Sequence, residues 1–294
     1  MEGILNIDKP QWLSSHDAVV RVRRICGTRR VGHAGTLDPL ATGVLLVCVG
    51  RATRLSEYLM GHQKTYTATV RLGQTTNTYD AEGEVKEERP FAHISQPDIE
   101  ESLTAFRGSI EQLPPLYSAL KVKGQPMYKL ARQGKEVARK PRLITIYELN
   151  LLDWTPPFLQ LNVVCAAGTY IRSLAHDIGE RLGCGGHITE LRRTAVGNFN
   201  SSDAVSLENL TAHNWQSFCY PGDQAISYLP KLDASEAEVT ALLLGQQIPI
   251  SPQHPTETLV RVYNPNNQFF GILLREKDVW QPKKMFPPET EKIG

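Results

Sequence analysis

Gly32-His33-Ala34-Gly35-Thr36-Leu37-Asp38-Pro39-Leu40-Ala41-Thr42-Gly43 runs directly into Val44-Leu45-Leu46-Val47-Cys48-Val49-Gly50. Three glycines and a proline surround one aspartate, so the chain must turn tightly there. Glycine reaches backbone angles that other residues avoid, and Pro39 restricts the residue before it, which is Asp38. The apolar run that follows is short, partly β-branched and closed by Gly50, which predicts a buried strand. The pattern puts one acidic side chain on a stiff loop held against the core. The plain alternative is a turn aspartate that bonds its own backbone.

Outward from this loop, strands and helices mix without strict alternation. Ser14 or Ser15 is placed to cap a helix bearing Ala18, Val19, Val22 and Ile25, ended by Gly27. A helix is predicted over 52–60. Residues 65–72 alternate, with Tyr66, Ala68, Val70 and Leu72 on one face, as a half-buried strand does. Ser95 with Asp98 marks a helix start, strands are expected over 143–154, 158–165 and 190–199, and a helix capped near Thr169 should bury Ile171, Leu174, Ile178 and Leu182. These elements predict an α+β fold around a mixed, largely antiparallel sheet flanked by helices. A boundary is expected near residue 230. Beyond it, the Ser235–Glu238 pair starts a short helix, and three strand-like runs suggest a small β-rich domain over 231–294.

At 294 residues, with 41% apolar and 21% charged side chains, the chain has ample material for a core. Its net charge of +1 excludes a uniformly basic nucleic-acid binder. The charge is segregated, however. Residues 121–142 hold eight basic side chains against Glu136 alone, and Arg21, Arg23, Arg24, Arg29 and Arg30 lie together. Such patches suit phosphate backbones, although a solvated surface has the same composition. The prolines, glycines and basic residues of 114–142 read as an exposed arm. The five cysteines are scattered, with no CxxC pair and no histidine at ligand spacing, which argues for reduced thiols in a cytoplasm and against a metal site. No signal segment or membrane-length apolar run is present in the sequence.

Asp38, Tyr66 and Arg172 carry the chemistry that these residue types permit. Arg172 falls in the first turn of its predicted helix, where free N–H groups favour a negative partner. Paired with Asp38, it would favour the ionised carboxylate. Tyr66 offers a flat ring for stacking on a base, or a buried core phenol. Spacing alone leaves the convergence of the three open.

The string GHAGTLDPLATGVL resembles the signature loop of the bacterial tRNA pseudouridine-55 synthases, the TruB-type family. The resemblance extends along the chain through Asp8-Lys9-Pro10 with Ser14 and Ser15, KTYTATVRLG with Tyr66, TNTYDAEG with Asp80, GTYIRSLAHDIG with Arg172, and ELRRTAVGNF with Leu191. It implies the pseudouridine synthase fold, with 1–230 as the catalytic domain, 114–142 as a thumb over RNA and 231–294 as a PUA-like RNA-binding domain. It also implies that Asp38 is catalytic, that Tyr66 stacks on the target uracil, that Arg172 pairs with Asp38, and that Leu191 packs under the base. His33, Lys9 and Asp80 are implied as further substrate-binding residues, His33 filling space left by flipped nucleotides. Trp12 departs from the pattern, since the family usually has glycine there, which puts the local turn in question.

The implied reaction is isomerisation of uridine to pseudouridine at position 55 in the TΨC arm of tRNA, without cofactor or metal, by a cytoplasmic monomer that needs no membrane and no protein partner. Attack by Asp38 at C1′, attack at C6, and removal of a proton all remain open. Three other readings compete. A glycoside hydrolase would need a second carboxyl group, for which Asp80 and Asp177 are available but not in comparable loops. An RNA-binding or tRNA-folding protein would use the same basic arm without catalysis. The catalytic subunit of a box H/ACA guide-RNA particle would usually carry basic terminal tails, which this sequence lacks.

Overall fold

The computed structural model describes residues 2–118, 120–122, 124–133 and 138–287. Its main sheet runs in the order Val205–Ser206, Gly3–Lys9, Thr42–Val49, Gly186–Val196, Lys64–Leu72, Phe158–Cys165, Arg142–Thr155, Gly108–Gln112. The first and third of these pairings are parallel and the other five are antiparallel, so the α+β expectation of a mixed, largely antiparallel sheet holds. Helices Ser15–Cys26, Gln96–Thr104 and Ile171–Arg181 contribute Ala18, Val19, Val22, Ile99, Leu103, Leu174 and Ile178 to the principal core.

The predicted strand after the aspartate loop is Thr42–Val49, which is almost wholly buried. The Val31–His33 stretch is also a strand, antiparallel to it, although its glycine content reads as loop. Gly43 has φ +96°, and a Cβ there would lie 2.2 Å from the Arg193 carbonyl oxygen, so only glycine lets these two strands approach. Register then sets three distant residues in one row. Arg193 is opposite Gly43 on one side and opposite Tyr66 on the other.

Three local expectations are corrected. Thr169 does not cap the helix that carries Arg172, because its hydroxyl donates to the Ala166 carbonyl at 3.0 Å. Tyr170 is the cap residue instead, held by Gln112, whose amide accepts from the Tyr170 N–H at 2.8 Å and donates to its carbonyl at 3.0 Å. The helix expected over 52–60 is a 3₁₀ stretch, Gly50–Leu55, continued as α-helix Ser56–Met60. The last long strand begins at Gly186, and Phe199 belongs to a separate two-residue strand that folds back on it.

Of the two serine candidates, Ser14 caps the first helix, accepting from the Asp17 N–H at 3.1 Å. Ser15 does different work. Its buried hydroxyl both donates to the Leu37 carbonyl and accepts from the Leu37 N–H, each at 2.8 Å, and so pins the residue before Asp38. Trp12 keeps the turn in which glycine is usual by adopting φ +64°. That left-handed conformation costs a non-glycine residue about 1–2 kcal/mol.

A second sheet of five strands, ordered Lys231–Asp233, Leu259–Tyr263, Phe269–Glu276, Val279–Met285, Ile248–Pro249, has its own core around Leu232, Leu242, Val260 and fully buried Trp280. Ile272 and Phe286 on this side pack with Leu46, Leu55 and Ala225 of the main body. The basic arm falls partly outside the described residues. What is described includes the strand pair Lys121–Val122 and Gln125–Pro126 and the helix Met127–Arg132. No helix among the described residues is long and apolar enough to cross a membrane.

Candidate active site

The loop, the middle of the sheet and the start of one helix meet at a cleft of about 350 Å³. Asp38, Tyr66, Arg172, Leu191 and Arg193 line it, with Ser118 and Leu120 from the root of the arm. A more open cleft of about 560 Å³ lies between His93, Asp98, Glu101 and Arg181. It brings no cation onto a loop carboxylate beside an aromatic ring, so its size does not make it the better candidate.

Arg172 is buried, with Nε 2.9 Å from Asp38 Oδ2 and Nη1 3.1 Å from Asp80 Oδ2. Its Nη1 also donates to the Thr78 carbonyl at 3.0 Å and its Nη2 to the Tyr117 carbonyl at 2.8 Å. The Asp38 contact is a close ion pair without a well-aligned N–H, since Nε has no hydrogen-bond partner of good geometry. The Asp38 side chain is 38% exposed and borders the cleft, whereas the guanidinium beside it is fixed on its other sides. A buried cation therefore holds a carboxylate that remains open to a ligand. The plain alternative, an aspartate turned back on its own backbone, is not what the loop adopts among the described contacts.

Tyr66 is 8% exposed and shares its face with Ala68, next to Leu191 across the strand pair. Burial raises its pKa, with the Arg193 guanidinium acting against that rise, so the phenol is protonated at neutral pH. Leu191 is 7% exposed and adds an apolar wall. An aromatic ring, a leucine and a paired carboxylate around one cleft can hold a flat heterocycle and act on it.

Of the other sequence-derived candidates, Lys9 and Asp80 are buried away from the cleft surface and His33 is half-buried. Lys9 is fully buried beneath the loop, its Nζ donating to the carbonyls of Pro10 at 2.9 Å, Leu13 at 2.7 Å and Pro39 at 3.3 Å. Burial lowers its pKa to about 8, with Asp38 pulling the other way. Asp80 is 2% exposed and accepts at Oδ1 from the Thr78 hydroxyl at 2.5 Å and the Glu82 N–H at 3.1 Å. His33 pairs with Val47, its Nδ1 is buried without a partner, and burial followed by Arg193 lowers its pKa, so its ring is neutral. None of these three lines the cleft.

Sequence reasoning missed Arg193. It is 1% exposed, and its Nε donates to Val44 O at 2.7 Å while Nη2 and Nη1 reach Gly35 O at 3.1 Å and Thr36 O at 3.4 Å. One guanidinium thus ties the aspartate loop to two strands, and Lys9, His33, Lys64 and Tyr66 all feel its charge. A signal was available: residues two apart on a strand share a face, which puts Arg193 on the face of Leu191, the residue that the resemblance sets under the base. Lys64, on the cleft floor, has its pKa lowered by burial to about 8 as well.

Comparison with known proteins covers nearly the whole chain. Residues 23–171 match the model of the TruB family pseudouridylate synthase N-terminal domain. Residues 172–229 match the tRNA pseudouridylate synthase B C-terminal domain, and residues 230–286 the pseudouridine synthase II TruB C-terminal model. The chain is 43% identical over 297 residues to the tRNA pseudouridine synthase B of Dehalococcoides mccartyi (strain CBDB1), covering 99% of each chain. It is 46% identical over 279 residues to the protein of that name from Pseudomonas fluorescens (strain Pf0-1), covering 92% of this chain and 91% of that one. Among solved structures it resembles a chain of a Cbf5-Nop10-Gar1 complex, with 26% identity, a TM-score of 0.74 and coverage of 97% and 85%. An H/ACA RNP bound to a substrate RNA containing 2′-deoxyuridine has the same fold, at 24% identity and the same TM-score.

Proposed function

The chain belongs to the TruB family, isomerases that convert uridine to pseudouridine in tRNA, and from that premise we propose that it acts at position 55 of the TΨC arm, with Asp38 as the catalytic residue. The observation that carries this reading is the Asp38–Arg172 ion pair at the mouth of a cleft walled by Tyr66 and Leu191. In the isomerisation the bond from the ribose C1′ to N1 breaks, the uracil turns, C1′ bonds to C5, the C5 proton leaves to solvent, and N1 takes up a proton in its place. The cleft supplies a carboxylate at the reacting sugar and base, held by a cation that cannot drift away. Tyr66 provides a ring face for the uracil and Leu191 supports it. Asp80 and Lys9 act one layer back, on Arg172 and on the loop.

A target uridine must leave its stack to enter such a cleft, at a cost of a few kcal/mol. Contacts made by the basic arm over 114–142 offset that cost through phosphates, and so weaken as salt rises. Residues 1–230 form the catalytic domain in this reading, and 231–294 a PUA-like module that adds RNA contacts, supported by the separate core of the second sheet. The protein works as a monomer in the cytoplasm, without a protein partner. A T-arm transcript labelled with tritium at C5 tests the proposal. Asp38→Asn should shift the RNA in a gel as the parent protein does while releasing no tritium. Substantial release by this variant, or by Asp38→Ala, would end the catalytic assignment.

A further inference from the structure

We propose that Trp12 is a nucleobase-stacking platform at the rim of the cleft, taking a base of the substrate RNA that flanks the extruded uridine. This rests on the reading of the cleft as a uridine site. Trp12 is 63% exposed, the most exposed of the four tryptophans, and its ring has no aromatic or cationic partner among the described residues. Its backbone, by contrast, is fixed. The Trp12 N–H donates to the Pro39 carbonyl at 2.8 Å, and Lys9 ties Pro10, Leu13 and Pro39 to one ammonium. The Trp12 backbone therefore lies one hydrogen bond from the residue that follows Asp38.

The position is costly for a tryptophan on two counts. The residue holds φ +64°, a left-handed conformation that glycine adopts freely, and it leaves a large apolar ring in water. A non-glycine residue held there points to a function that offsets the strain. An extruded uridine stays joined on both sides to nucleotides that cannot enter the cleft, so their bases, unstacked from it, lie at the rim beside the Asp38 loop. An exposed indole on a fixed backbone suits such a face, and stacking of this kind tolerates any base.

The test uses the full chain and a T-arm stem-loop transcript, comparing the parent protein with Trp12→Gly, Trp12→Phe and Trp12→Leu. Trp12→Gly should melt no lower than the parent, because it relaxes the turn. It should raise KM by about fivefold to a hundredfold, the range that loss of one stacked base gives, with little change in kcat. Trp12→Phe should keep most of the affinity, Trp12→Leu should not, and the quenching of tryptophan fluorescence by RNA should be smaller in both than in the parent. An unchanged KM in Trp12→Gly overturns the proposal, as does full recovery by Trp12→Leu, which would make the ring a mere apolar filler. A lower melting temperature together with a fall in kcat would make the role structural and overturn it too. A parent protein inert on the transcript would instead overturn the uridine-site reading itself.

Discussion

Asp80 Oδ2 lies 3.1 Å from Arg172 Nη1, so the guanidinium that faces Asp38 is itself held by a second, buried carboxylate. The two acids share one cation but differ in access: the Asp80 side chain is 3% exposed and that of Asp38 is 38% exposed. The inner acid fixes Arg172 and the outer one is presented to the cleft. Asp80→Asn keeps the shape and removes the charge. It should cost about 1.5–3 kcal/mol of stability, the worth of one hydrogen bond to a charged group. Turnover should fall while the affinity for RNA stays near that of the parent protein. Urea denaturation and tritium release measure the two effects, and an unchanged kcat would show that Asp80 does not position Arg172.

Arg193 grips three carbonyls with one planar fork, which a lysine cannot reproduce. Arg193→Lys keeps the charge and loses the fork. Each carbonyl left without a partner costs about 1–3 kcal/mol, so the variant should melt lower. It should also exchange the amide hydrogens of residues 35–38 faster and turn over more slowly, since the Asp38 loop loses its tie to the sheet. Hydrogen exchange that matches the parent over those residues would remove Arg193 from this role.

Gly43 and Gly27 offer a controlled pair. Both have positive φ, +96° and +62°, but a Cβ at Gly43 meets the Arg193 backbone at 2.2 Å whereas one at Gly27 meets nothing within 4 Å. Gly27→Ala should cost about 1–2 kcal/mol from backbone strain alone. Gly43→Ala should cost about 1–3 kcal/mol more, because the strands must part. Equal losses in thermal denaturation would show that the close approach of the two strands is not what requires glycine.

Two buried lysines set the alkaline behaviour. Lys9 and Lys64 each have a pKa lowered to about 8, chiefly by burial. In the folded protein each is an ammonium below pH 8 and an amine above it, while the unfolded chain keeps the proton to about pH 10.4. The unfolded state thus binds more protons between roughly pH 8 and 10.4, and this contribution to stability rises with pH. Cys48 and Cys165 act in the opposite sense. Burial raises them from 9.0 to about 12 and about 11, so their contribution is complete below pH 9 and is lost as pH rises through those values. For turnover, an Lys9 amine has fewer N–H groups for the three carbonyls it braces. Tritium release should decline above pH 8, and Lys9→Met should lower the plateau and flatten that limb. A limb that persists unchanged in Lys9→Met would assign it elsewhere, with Lys64 as the next candidate.

Local signals in the sequence were read correctly where the interaction is itself local. The Ser95–Asp98 and Ser235–Glu238 capping boxes form as their spacing requires, each with an N–H to carboxylate contact of 2.8 Å. The alternation that set Tyr66 inward and the apolar run after the aspartate loop also read through, because side-chain period depends only on strand geometry. Lys9, Arg193 and Gln112 did not read through as what they are. Lysine and arginine are usually solvated, the Pro39 carbonyl that joins Lys9 to the aspartate loop is 30 residues away, and the carbonyls that hold Arg193 are about 150 residues away. Gln112 holds Tyr170, the cap residue of a helix, from 58 residues earlier in the chain.

The sequence alone determined that one aspartate would sit on a stiff glycine–proline loop ahead of a buried strand, since backbone sterics and apolar period act between near neighbours. Only the tertiary structure decided what that aspartate faces. Strand order places Gly43, Arg193 and Tyr66 side by side, and helix packing delivers Arg172 to Asp38 with Asp80 behind it. Such contacts join residues from 92 to 150 positions apart, and their geometry follows from sheet register and core packing, which no short stretch of sequence contains.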